Sequence, residues 1–210
     1  MIQQFLTFHF KDSAQFFASR VASTVYQASN AVILSAIYGS GSPVIGYYTS
    51  ADKVVALTKA ASSPVADSLY PYMIKNKNYK LIKNILLLAM PVITVGVAVL
   101  GIFSGEICVW VFGEEYYEAG KILRLLLPFV WVVLPNYILA FPVMVPLGLT
   151  KYANLSNVVG LGVEVISVGA FALMGCLNVY TLCIATSITE VVVFLFRLIC
   201  VLRRMRRLQE

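Results

Sequence analysis

Charged and amide side chains interrupt two apolar segments of the chain, where they could bind ions, phosphates or hydroxyl groups. These residues are Arg20, Ser23, Gln27 and Asn30 within 16–38, and Asp52, Lys59, Ser63 and Asp67 within 44–70. Their intervals of three, four or seven place each set on one face of a helix. A charge at the centre of a bilayer costs about 2.5–3.5 kcal/mol, so such a face must meet a wet cavity or another helix. The pattern indicates a protein that moves a polar substance through a membrane.

The composition predicts the elements that position these side chains. Of the 210 residues, 60% are hydrophobic and only 12% are charged, whereas ordinary soluble domains are about 25% charged. Apolar runs of roughly 20 residues recur, which is the length a helix needs to cross the hydrocarbon core. We therefore predict an all-α integral membrane protein. The net charge of +6 gathers in short loops, which indicates topology signals and not nucleic-acid binding.

Polar and glycine-rich breaks divide the apolar sequence into six predicted spans. The spans are 16–38, 44–70, 85–112, 122–149, 153–175 and 179–201. They predict a six-transmembrane-helix bundle over 16–201, preceded by an amphipathic cytoplasmic lead-in (1–15) and followed by a basic cytoplasmic tail (202–210). Lys and Arg cluster after the second, fourth and sixth spans, so the positive-inside rule predicts cytoplasmic termini.

The fifth and sixth spans carry further polar faces. Glu164 aligns with Asn157 on the fifth span, and Glu190 aligns approximately with Arg197 on the sixth. The third span has no comparable stripe and is expected to face lipid. An alternative for each single residue is helix–helix contact, with Glu190 paired to Arg197. Arg197 also lies close enough to the cytoplasmic end for its side chain to extend to the interface.

Prolines define the fourth span, which contains Pro128, Pro135, Pro142 and Pro146. Each removes a helical hydrogen bond and favours a kink. Such a kink suits either a moving part of a transporter or a static packing need. The sequence has no catalytic constellation, metal-ligand spacing or phosphate-binding glycine loop, so we expect neither an enzyme nor a bound cofactor.

Several short stretches resemble bacterial O-antigen flippases of the polysaccharide transporter family, which is part of the multidrug/oligosaccharidyl-lipid/polysaccharide exporter superfamily. They are FFASR (16–20), GYYTSADKV (46–54), PVADSLYP (64–71), FGEEY (112–116) and AGKILR (119–124). The resemblance implies one lobe, the C-terminal one, of a two-bundle transporter in the bacterial inner membrane. It also implies that a first six-helix lobe or a second copy completes the transporter.

The resemblance further implies a substrate, a lipid-linked oligosaccharide carried on undecaprenyl pyrophosphate for lipopolysaccharide biosynthesis. Arg20, Lys53 and Lys59 would then bind phosphates or acidic sugars. Hydrogen bonds to sugar hydroxyls would come from Gln27, Asn30, Asp52 and Ser63. Asp67, Glu164 and Glu190 are the candidates for a coupling ion or proton.

Two other functions fit the same residues. A cation-coupled multidrug antiporter of the same superfamily would share the fold and the acidic side chains. A truncated half that acts only in assembly would need neither substrate nor ion. Drug resistance without polysaccharide export would favour the antiporter.

Overall fold

The computed structural model describes residues 29–208 together with Phe17, Val21, Thr24 and Val25. Within that part of the chain every regular element is helical. The helices are α1 (Ser29–Tyr38), α2 (Pro43–Asn76), α3 (Tyr79–Ile102), α4 (Ser104–Phe112), α5 (Ala119–Ile138), α6 (Thr150–Leu173) and α7 (Val179–Arg207). A single 3₁₀ turn, Glu114–Tyr116, lies between α4 and α5.

Local chemistry fixes the helix ends. Ser42 caps α2 by accepting a hydrogen bond from the backbone of Val44, and Pro43 occupies the first helical position, where its missing N–H costs nothing. The same helix ends at Lys77, which adopts a left-handed conformation with φ 49°. Asn178 begins α7 with a reciprocal capping box to Thr181.

Four helices are long and apolar enough to cross a membrane: Tyr79–Ile102, Ala119–Met144, Thr150–Leu173 and Val179–Arg207. They make the chain a multi-pass membrane protein. The described part of α1 is shorter, and α2, although 34 residues long, carries four charges between Asp52 and Asp67. The count of six spans therefore stays a prediction.

The single third span predicted over 85–112 is wrong in detail, because the chain breaks at Phe103 and continues as α4. Close backbone packing accompanies the break. A Cβ on Gly120 of α5 would lie 2.6 Å from the Cα of Gly105 in α4, so only glycine permits this approach. Small residues allow helices in membranes to approach closely in this way.

The predicted lipid-facing position of the third span agrees with the packing of α3. Ile82 is its one buried residue within the described chain, and no residue in the most hydrophobic stretch of α3 is buried. In contrast, α5 is the central helix and contacts α2, α3, α4 and α7.

The prolines of the fourth span produce a local change of helix type. From Leu139 to Met144 the helix widens into a π-helical turn around Pro142. The π-helical segment ends at Met144, and the turn that follows it closes at Gly148, whose φ of 75° suits a residue without a side chain. At the same end of the bundle, where Arg204 Nε donates to the backbone oxygen of Leu147, α7 continues as a helix to Arg207, so its basic end is an extension of the last span.

Candidate functional site

The polar stripe of α2 lies along the border between the packed face of that helix and the open surface of the bundle. Asp52, Lys59 and Ser63 are half-buried, whereas Lys53 and Asp67 are exposed. The neighbouring face, with Tyr48, Ala51, Val55 and Ala66, packs into the core. Because lipid cannot solvate these charges, the open border must face water or protein.

Two of the lysines of α2, Lys53 and Lys59, lie over aromatic rings. Lys59 Nζ lies 4.8 Å from the centre of the Phe129 ring, and Lys53 Nζ lies 5.5 Å from that of Phe112. Lys59 is also within electrostatic range of Asp52. A cation over an aromatic face keeps its charge while its aliphatic stem stays packed. Both lysines are thus placed as positive groups at the edge of the open surface.

The first buried polar cluster surrounds Glu164. Thr186 Oγ1 donates to Glu164 Oε1 at 3.1 Å, and Thr189 Oγ1 donates to Oε2 at 2.7 Å. Asn30 Nδ2 donates to Thr186 Oγ1 at 2.6 Å, which joins α1 to α6 and α7. We call these four residues the Glu164 cluster. Only 2% of Glu164 is exposed, and its hydrogen bonds all come from neutral hydroxyl groups within the described chain.

Tyr48 connects the Glu164 cluster to the stripe. Its hydroxyl is within hydrogen-bond reach of Asn30 and within electrostatic range of both Asp52 and Glu164. The amide oxygen of Asn30, Oδ1, is buried and accepts no hydrogen bond from the described residues. The Tyr48 hydroxyl therefore lies within electrostatic range of a carboxylate on the open border, Asp52, and of a buried one, Glu164.

The second buried polar cluster surrounds Arg197, which donates from three nitrogens. Nε bonds Ser156 Oγ at 2.8 Å, Nη1 bonds the Asn136 backbone oxygen at 3.0 Å, and Nη2 bonds Asn157 Oδ1 at 2.8 Å. Asn136 Nδ2 donates to the backbone oxygen and to Oε2 of Glu190 at 3.2 and 3.1 Å. These residues form the Arg197 cluster, which ties α5, α6 and α7 together.

The alternative in which the Arg197 side chain extends to the membrane interface is wrong, because only 8% of it is exposed. The helix runs on to Arg207, so Arg197 lies about 15 Å before the helix end, at 1.5 Å per residue. At that depth three acceptors from neighbouring helices satisfy it.

The structure brings together some of the predicted site residues and separates others. Asn30 and Glu164 share one cluster, whereas Glu190 belongs to the Arg197 cluster, within electrostatic range of Glu164. Ser63 donates to Asp67 Oδ2 at 3.1 Å on the open side of α2. Arg20 and Gln27 lie outside the described residues. No group of three or more metal-ligating side chains occurs in the part of the chain that the structure describes.

Sequence reasoning missed several members of these clusters, above all Asn136, Ser156, Thr186 and Thr189. Asn136 follows Pro135 within an apolar run, and an amide in a membrane span is a detectable signal. Serine and threonine give almost no signal in the sequence, because their hydroxyl groups hydrogen-bond to the backbone of their own helix as readily as to a neighbouring helix.

Known proteins share features with this chain. Residues 1–77 match the model of a family described as polysaccharide biosynthesis protein. The chain is 26% identical over 191 residues to a putative O-antigen transporter from Shigella dysenteriae. The resemblance to polysaccharide transporters is thereby confirmed. The alignment covers 90% of this chain and 47% of the relative, so the chain spans about half the length of the protein it matches. No solved structure matches it.

Proposed function

We propose that the chain forms one lobe of a polysaccharide transporter that moves lipid-linked O-antigen units across the bacterial inner membrane. The observation that carries the proposal is the combination of a charged open border on α2 with a buried carboxylate, Glu164, which hydrogen bonds connect through Thr186 to Asn30. A charged surface joined to a buried ionisable group suits a carrier that couples substrate binding to ion binding. The similarity to a putative O-antigen transporter supports a transport role and not an enzymatic one.

The lysines of α2 would bind the anionic part of the substrate. Lys59 and Lys53 sit at the border, held over Phe129 and Phe112, and a pyrophosphate or an acidic sugar would neutralise them. Asp52 and Ser63 offer oxygen atoms to sugar hydroxyls along the same border. Arg20 and Gln27 would extend this surface, and the opposite wall would come from a further lobe or from a second copy.

The Glu164 cluster would take up the coupling charge, either a proton or a small cation. A buried carboxylate is costly when ionised unless a positive charge compensates it, and its described partners are neutral hydroxyls. Asn30 Oδ1 offers a further acceptor beside it. Glu190 and Asp67 are second candidates, but Asn136 and Ser63 already donate to them.

The transport proposal is tested by complementation in a bacterium that lacks its own O-antigen transporter. The gene that encodes this chain is expressed with Lys59→Ala, and surface polysaccharide and membrane protein level are measured. We expect at least a tenfold loss of polysaccharide at unchanged protein level, since one charged contact is worth about 1.5–3 kcal/mol. The control is Lys80→Ala, an exposed lysine near the start of α3. Full export by Lys59→Ala would refute the role of the stripe.

The same strains separate the alternative functions. Resistance to cationic drugs that depends on Asp52 and Glu164, without restored polysaccharide, would favour a multidrug antiporter. If surface polysaccharide is restored to the same level by every variant of the stripe and of the Glu164 cluster, an assembly role would be favoured. A proton is distinguished from a sodium ion by measuring export while external pH and sodium are varied independently.

A further inference from the structure

An apolar groove opens between α3, α5 and α7, away from the stripe of α2. Its volume is about 580 Å³, and Val97, Leu127, Trp131, Phe194 and Leu195 are among the side chains that line it. All three helices are among those long and apolar enough to span a membrane, and Leu195 is exposed. The groove therefore lies within the hydrocarbon layer, where the available occupant is a lipid chain.

One charged side chain, Arg124, stands at an end of this groove. It is the sixth residue of α5, about 7.5 Å from the helix start at 1.5 Å per residue, and so near one membrane surface. Its Nε donates to Ser104 Oγ at 2.6 Å. This is the only hydrogen bond of Arg124 within the described chain, so its two terminal nitrogens are turned to no protein acceptor there.

The deeper end of the groove is aromatic. Trp131 lies seven residues after Arg124, about 10 Å further along the helix. Its ring is fixed by a 3.0 Å hydrogen bond from Nε1 to Thr94 Oγ1 and by an edge contact with Phe194 at 6.4 Å. The groove thus has the Arg124 guanidinium at its shallow end and apolar side chains deeper in. This arrangement matches an amphiphile with an anionic head group.

We propose that the groove binds one anionic phospholipid, with Arg124 on its phosphate and an acyl chain running down to Trp131. A guanidinium binds phosphate oxygens in a bidentate manner, and the hydrogen bond from Arg124 Nε to Ser104 Oγ orients it. The site is separate from the stripe of α2 and does not rest on the proposed transport function. The proposal predicts that one lipid remains bound to the protein and stabilises the packing of α3, α4 and α5.

Tryptophan fluorescence tests the proposal directly, because the chain contains two tryptophans. Trp110 is 88% exposed, and Trp110→Phe leaves Trp131 as the single reporter. The protein is placed in phosphatidylcholine nanodiscs that contain a trace of phosphatidylglycerol with brominated acyl chains. We expect this lipid to quench Trp131 at about one tenth the mole fraction that brominated phosphatidylcholine requires.

Two variants decide which side chain causes the preference. Arg124→Gln removes the charge and should make the two brominated lipids equal. The matched control is Lys121→Gln, one turn earlier on α5, where the lysine is exposed and paired with Glu118 at 2.8 Å; it should keep the preference. Equal quenching in the Trp110→Phe protein, or an unchanged preference in Arg124→Gln, would overturn the proposal. Displacement of phosphatidylglycerol by trace polyprenyl phosphate would assign the groove to a carrier lipid and overturn it likewise.

Discussion

Two buried polar clusters lie on the same helices, α6 and α7, yet they satisfy their charges in different ways. Arg197 holds three acceptors on two neighbouring helices, and each of its bonds is a short charge-assisted contact. Glu164 is equally buried but receives only hydroxyl donors among the described residues. Arg197 therefore cross-links the helices through a guanidinium whose charge is compensated by fixed acceptors. The Glu164 carboxylate, in contrast, can still take up a proton or bind a cation.

The difference separates a structural role from a switching role. Any movement of the Arg197 guanidinium would break its three hydrogen bonds together, which makes the Arg197 cluster rigid. Hydroxyl groups can rotate between donating and accepting, so Thr186 and Thr189 suit either a charged or a neutral partner. Stability should therefore depend strongly on Arg197, and ion dependence should arise at Glu164.

The largest predicted effect is that of Arg197→Met. Three acceptors, two of them buried, lose their donor at once, and we expect the free energy of unfolding to fall by about 3 kcal/mol or more. It is measured by titrating the detergent-solubilised protein with dodecyl sulfate and following helix content. Arg203→Met, at an exposed position of α7, is the control and should change stability by less than about 0.5 kcal/mol. Similar losses in both variants would contradict a cross-linking role.

The next effect concerns Asn136→Leu, which keeps the branching and the number of side-chain heavy atoms but removes both donations to Glu190. We expect a loss of about 1–3 kcal/mol, because the buried Glu190 carboxylate and backbone oxygen both lose the donor that Asn136 supplies. Asn154→Leu is the matched substitution on α6, where the amide oxygen is buried without a partner in the described chain. That variant should be neutral or more stable in the same assay. The reverse order of the two would show that Asn136 is not part of the cross-link.

The sequence predicted this architecture more fully than the clusters. Periodic apolar runs placed α3 on the outside and the α2 stripe on an open border, since hydrophobicity alone decides both. The break at Phe103 was missed, because it depends on the contact between Gly105 and Gly120, which are distant in sequence. Arg197 was misjudged for a related reason, since its acceptors Asn136, Ser156 and Asn157 belong to other helices.

A smaller effect is predicted for Thr189→Val, which removes one hydroxyl donor from Glu164. Hydrogen bonds between membrane helices average about 0.6 kcal/mol and reach about 1.7 kcal/mol, so the stability loss should lie in that range. Thr49→Val serves as the control and should change stability less, because the exposed Thr49 hydroxyl donates to Gly46 within its own helix. A loss above 3 kcal/mol in Thr189→Val would mean that the Glu164 cluster is as rigid as the Arg197 cluster.

The smallest effect on stability, and the sharpest test of the comparison, is Glu164→Gln. Glutamine keeps the shape, its oxygen still accepts from one threonine, and its amide donates to the other, so we expect a change within about 1 kcal/mol. What should disappear is the response of the protein to protons or cations. Helix unfolding of the unsubstituted chain should shift with pH or with added sodium, and the shift should be absent in Glu164→Gln.

The control is Asp67→Asn, at the exposed end of the stripe, which should keep the shift with pH or sodium. If Glu164→Gln retains the response while Asp67→Asn or Glu190→Gln loses it, the changeable charge lies in the stripe or in the Arg197 cluster, and the contrast between the two clusters fails.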